Sequence, residues 1–137
     1  MGYLTAATLS FGVTLILIKL ASLKASPIIS NLVFTAVAAI VQLSVFFYFK
    51  LKGVTISATT SGLILSAIGG LFLGIYTIAL FLTFSKMPIT KASPVVYAGA
   101  ILLATCFGMI WLNEIINWQK FVGLVLLVVG LFFVFNQ

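Results

Sequence analysis

The sequence predicts an all-α fold, a polytopic membrane helix bundle of five transmembrane helices, and three observations predict it. The first is composition. Of 137 residues, 64% are hydrophobic and 6% charged, with a mean hydropathy of +1.37, whereas a soluble domain carries about 25% charged residues. A surface so poor in charge would aggregate in water, so lipid is the solvent. The second is length. A helix needs about 20 apolar residues to cross the hydrocarbon core, which leaves room for roughly four to six spans and none for a soluble domain. The third is punctuation, because lysine, proline, glycine and asparagine gather between five apolar runs.

Residues 1–137 therefore read as a single transmembrane domain with approximate spans 3–20, 28–49, 57–84, 93–112 and 118–135. The first run lacks a basic leader, and Lys19 stands where a small-residue cleavage site would be needed. It reads as a retained helix and not as a signal peptide. A short hinge, Ala21 to Pro27, leads into the second run, with Pro27 suited to the first helical turn, where its missing N–H costs nothing. Lys50, Lys52 and Gly53 close that run, and Lys86-Met87-Pro88 follows the third. Pro94 is expected in the first turn of the fourth helix. The polar turn Asn113-Glu114-Ile115-Ile116-Asn117 ends the fourth run, and Asn117 is a suitable N-cap for the fifth.

The residue inventory excludes whole classes of chemistry. There is no histidine and a single acidic residue, Glu114. Zinc sites, Ser-His-Asp triads and paired carboxylates lack their parts, so neither an enzyme nor a metal site nor a cofactor is expected. The one cysteine, Cys106, lies inside an apolar run and reads as a small packing residue. A net charge of +6 would suggest nucleic acid in a soluble protein. Here the seven lysines sit at the ends of apolar runs, where they anchor at lipid headgroups. Membrane lipid, and not nucleic acid, is the expected partner.

The same lysines set up a question of orientation. With five spans, Lys50, Lys52 and Lys120 share the side of the N-terminus, while Lys19, Lys24, Lys86 and Lys91 share the other. Three against four gives almost no positive-inside bias. Two readings stand. Either the rule acts weakly on so short a chain, or the protein inserts both ways and pairs with an inverted copy.

Polar and small residues form stripes. Asn31, Thr35, Ala38 and Gln42 share a face of the second helix and would serve either interhelical hydrogen bonds or a cavity wall. Gly62, Ser66, Gly70 and Gly74 recur every four residues on the third, a ridge that lets helix backbones approach closely. Gly123 and Gly130, seven apart on the fifth, fit a helix-pairing seam, while Tyr97, Ala100, Ala104 and Gly108 share a face of the fourth. No carboxylate lies in the middle of any run, and Glu114 falls at a membrane boundary. It could pair there with Lys120 or favour the start of the fifth helix through its dipole.

From Ala79 to Val134 the sequence resembles the second part of an EamA repeat of the drug/metabolite transporter superfamily. The matching elements are the turn into Ser93-Pro94, Leu112-Asn113-Glu114 at the end of the fourth run, and the helix carrying Gly123 and Gly130. "SFGVTLILIKLASLKASPIISN" (residues 10–31) resembles the opening of the same repeat. The resemblance implies one repeat of an inverted-repeat transporter, a half-size, five-helix member. It implies an antiparallel homodimer that passes a small-molecule solute by alternating access, through facilitated transport or exchange. The first, third and fourth helices would line the path, with Thr14, Tyr76, Thr77 and Tyr97 as substrate contacts and Gly62, Ser66, Gly70, Gly74, Gly123 and Gly130 in helix packing and the dimer seam. The sequence departs from the related small multidrug resistance proteins in its first helix, where Phe11 stands near the position of their essential carboxylate. Proton-driven antiport is therefore not implied. The alternatives are a non-transporting assembly or regulatory membrane subunit, or half of a heteromeric flippase for a lipid-linked substrate. The expected location is the inner membrane of a prokaryotic cell.

Overall fold

The computed structural model describes residues 2–115 and 117–135, and these are all-helical or connecting loop. Ile116 and Gln137, which the sequence places in the last turn and at the chain end, lie outside them. Five helices follow in order: α1 Gly2–Lys24, α2 Pro27–Leu51, α3 Thr60–Lys86, α4 Ile89–Trp111 and α5 Trp118–Phe135. The first four are long and apolar enough to cross a membrane, and α5 is shorter. At about 1.5 Å per residue its eighteen residues reach roughly 27 Å, close to the thickness of the hydrocarbon core.

Each boundary has a local cause. α1 outlasts the apolar run by one turn, because Ala21 to Lys24 favour helix and the Ala25 amide still bonds the Ala21 carbonyl at 3.0 Å. Pro27 ends it: the residue before a proline is driven extended, and Ser26 sits at φ −53°, ψ 130°. Pro27 then opens α2 in its first turn, as expected. α2 closes on Gly53, whose φ of 72° is left-handed. The Gly53 amide bonds Lys50 O at 3.1 Å and the Val54 amide bonds Phe49 O at 3.2 Å, the paired bonds of a glycine-terminated helix. α3 starts at Thr60 and not at residue 57, since Thr59 Oγ1 accepts the Gly62 amide at 3.3 Å and caps the helix there.

The fourth helix corrects the sequence reading. It begins at Ile89, and Pro94 is interior instead of first-turn. Pro88 supplies the start: its carbonyl accepts the amides of Lys91 and Ala92 at 3.1 and 3.0 Å. Proline at 94 then leaves the Thr90 carbonyl without its usual amide partner. At the other end Leu112 caps the helix, and Asn113 adopts φ 52°, a conformation asparagine tolerates better than most residues. The Asn117 carbonyl accepts the Phe121 amide at 3.1 Å, as an N-cap position requires.

The chain forms two compact units, Met1–Lys86 and Met87–Gln137. In the first, α1, α2 and α3 pack on one another. Leu17, Ile18 and Ala21 of α1 line a small cleft together with Ser30, Val33 and Phe34 of α2 and Phe81 of α3. Phe34 meets Phe81 of α3 edge-on at 5.8 Å. The buried positions of this unit, Ile18, Ser22, Asn31, Thr77, Leu80, Phe81 and Phe84, all lie toward the α1–α2 turn. Residues 2–13, 39–51 and 60–73 are exposed throughout, as apolar helices facing lipid should be. The second unit is the α4–α5 hairpin.

Candidate functional site

In the first unit the polar groups gather where the three helices pack. Lys19 is half-buried and its ammonium donates to the Phe84 carbonyl at 2.6 Å. Phe84 lies in the last turn of α3, where carbonyls have no amide of their own helix to bond. A cation there complements the negative end of the helix dipole. Lys19 thus closes α3 from α1, a role beyond that of a headgroup anchor. Ser22 Oγ donates to Lys19 O at 2.8 Å, and Thr77 Oγ1 to Gly74 O at 3.0 Å. Asn31 is only 7% exposed, and its Oδ1 has no hydrogen-bond partner.

Of the expected solute contacts, Thr77 is buried, while Thr14 and Tyr76 are half-buried. Thr14 Oγ1 donates to Ser10 O at 2.8 Å, so both threonine protons are spent on their own helices. Their hydroxyl oxygens keep acceptor capacity. α1 and α3 run the same way from the Lys19–Phe84 contact. Counting back along each at 1.5 Å per residue puts Thr14 and Thr77 roughly 7 and 10 Å from it, at similar depth. The α3 ridge is left open: Gly62, Ser66 and Gly70 are exposed, and a side chain at Gly69, Gly70 or Gly74 would meet nothing within 4 Å. In the polar stripe of α2, Asn31 is buried and Gln42 exposed, while Thr35 bonds back to Asn31 O at 2.9 Å.

In the second unit a cleft of about 500 Å3 runs between α4 and α5, lined by Ile101, Thr105, Glu114, Lys120, Gly123 and Leu127 among others. Glu114 is held at its mouth. The Glu114 amide bonds Gly108 O at 3.1 Å, alongside the Leu112 amide at 3.2 Å. Its carboxylate lies over Gly108, where a Cβ would come within 3.2 Å of Oε2 and 3.3 Å of Cδ. Gly108 therefore makes room for Glu114, a purpose invisible when it is read as one small residue among several. Tyr97 is half-buried on α4. Gly123 and Gly130 are exposed, with open space where a side chain would stand. Among the described residues no cluster of metal-ligating side chains occurs.

Four long helices and a shorter one, apolar over most of their exposed length and nearly free of charge within it, define an integral membrane protein. The model of the EamA-like transporter family matches residues 1–136, and the chain belongs to that family, with a single repeat in its 137 residues. That family is one of membrane transporters of the drug/metabolite type and not of enzymes. No curated protein and no solved structure matches the chain.

Proposed function

We propose that this protein moves a small polar or amphipathic metabolite across a prokaryotic inner membrane as an antiparallel homodimer, by alternating access and without proton coupling. Membership of a transporter family across residues 1–136 is the observation that carries the reading. Thr14, Tyr76, Thr77 and Tyr97 contact the solute through hydroxyl acceptors and aromatic faces. The small-residue ridge Gly62, Ser66, Gly70 and Gly74 on α3, open at Gly70 and Gly74, and the open pair Gly123 and Gly130 on α5 support close approach of a second helix, which small residues permit in lipid. The near-even lysine distribution supports insertion in both orientations. Glu114 at the end of α4, instead of mid-span, supports facilitated transport or exchange over proton coupling.

The test is counterflow in liposomes containing only this protein. Preloaded unlabelled metabolite should drive uptake of its labelled form, at the same rate with and without an imposed pH gradient. A screen of metabolites by thermal shift supplies candidate solutes, since a ligand stabilises the state it binds. Counterflow absent for every stabilising ligand would overturn transport, and uptake that collapses with the pH gradient would overturn uncoupled exchange.

A further inference from the structure

The α4–α5 cleft offers a ligand two opposite charges at one end and apolar walls along the rest. Glu114 and Lys120 both line it, and among the described residues they form no ion pair with each other. The Glu114 carboxylate is positioned by its backbone bond and by its seat on Gly108. Glu114 follows Trp111, which closes α4, and Lys120 follows Trp118, which opens α5, and both tryptophans are exposed. Tryptophan favours the headgroup level of a bilayer, so the charges sit where lipid headgroups sit. From there the cleft descends past Thr105 and Leu124 to Ile101 and Leu127. Leu127 is two helical turns below Lys120, about 10 Å at 1.5 Å per residue. Thr105 turns its proton to Ile101 O at 2.8 Å, leaving the walls largely apolar at depth. A second, apolar cleft of about 520 Å3, lined by Trp118 and Phe121, shares Met109 and Leu124 with the first.

We infer that this cleft binds a zwitterionic aminophospholipid, phosphatidylethanolamine, with its ammonium on Glu114, its phosphodiester on Lys120 and its acyl chains along the two clefts. Charge complementarity selects the headgroup. A primary ammonium gives the carboxylate a charge-assisted hydrogen bond, and the phosphodiester accepts from the lysine. Choline carries the same charge but has no N–H to donate. Phosphatidylglycerol has no cation, and its net negative charge faces Glu114. The apolar depth of the cleft selects a lipid over a water-soluble zwitterion, which would leave those walls unfilled. The site does not depend on which solute is carried. Gly123 lies on its rim, so the lipid borders the α5 face assigned above to the subunit seam.

Native mass spectrometry of delipidated protein in mild detergent tests this, with equimolar phosphatidylethanolamine, phosphatidylcholine and phosphatidylglycerol and, separately, phosphoethanolamine. Phosphatidylethanolamine alone should survive as an adduct. Glu114→Gln and Lys120→Gln should each weaken its retention about tenfold, the loss of one charge-assisted contact. Lys24→Gln, on α1, should leave it unchanged. Ala104→Trp fills the groove without touching either charge, so it should abolish retention, and it decides the matter should a charge variant fail to fold. Equal retention of the other lipids, retention by Ala104→Trp, or the absence of any adduct would overturn the site. Phosphoethanolamine held as firmly as the intact lipid would reassign the cleft to a soluble metabolite. Failed counterflow with the lipid adduct intact would count against the transport reading alone.

Discussion

At the scale of single residues, the protein uses its few polar groups to finish helix ends. Lys19 serves α3 from a neighbouring helix, its ammonium 2.6 Å from the Phe84 carbonyl. Lys19→Met would keep the length and apolar stem while leaving that carbonyl in a low-dielectric setting with no donor. The expected cost is about 1–3 kcal/mol of stability, read as a lower thermal midpoint in detergent, whereas Lys19→Arg, which keeps a donor and the charge, should lose less. An unchanged midpoint for the methionine variant would mean that lipid or water satisfies the carbonyl equally well. The sequence placed Lys19 at a membrane boundary but could not show which carbonyl it meets, because sixty-five residues separate the partners. Glu114 is the converse case. Its position after Leu112-Asn113 marks a helix end in the sequence, but the seat that Gly108 provides follows from the left-handed turn at Asn113.

At the scale of elements, apolar runs and local breakers made five helices legible, and the errors came where two breakers competed. Pro88 and Pro94 both stand near the start of α4, and a proline is welcome in a first turn. Choosing Pro94 moved the predicted start from 89 to 93. The structure chooses Pro88, because the residues between the two prolines, Ile89 to Ser93, complete a turn whose amides bond the Pro88 carbonyl. Pro94 is then a fault inside a helix. Pro94→Ala would restore an amide to the Thr90 carbonyl and remove a ring clash worth up to about 3 kcal/mol in a helix interior. The thermal midpoint should rise, and hydrogen exchange at the first turns of α4 should slow. A lower midpoint would show that the ring itself packs well enough to offset the missing bond. The glycine ridges on α3 and α5 were legible as small-residue spacing, but spacing does not tell which helix they meet. Within its own unit each of Gly70, Gly74, Gly123 and Gly130 keeps open space where a side chain would stand.

At the scale of the whole molecule, the open question is how one repeat stands in the membrane. Charge decides orientation through lysines near the ends of spans, and this chain carries seven charges of that kind and one acidic residue. If all five helices span, three lysines fall on one side and four on the other. The free-energy difference between the two orientations is then small, and a few added charges should dominate it. Two or three lysines inserted in the loop after Lys52 should fix the N-terminus on the cytoplasmic side, and the same insertion beside Lys86 should fix it outside. Reporter fusions after Lys52 and at the C-terminus should land on opposite sides in either variant, because an odd number of spans separates the termini. Each biased variant alone should lose counterflow, since an antiparallel dimer needs both orientations, and co-expression of the two should restore it. Full activity from one biased variant would exclude the antiparallel arrangement while leaving transport itself standing. Reporters on the same side would instead mean that an even number of helices cross. The shorter α5 would then be the helix that stays at the interface, an arrangement its tryptophan-led first turn would also suit.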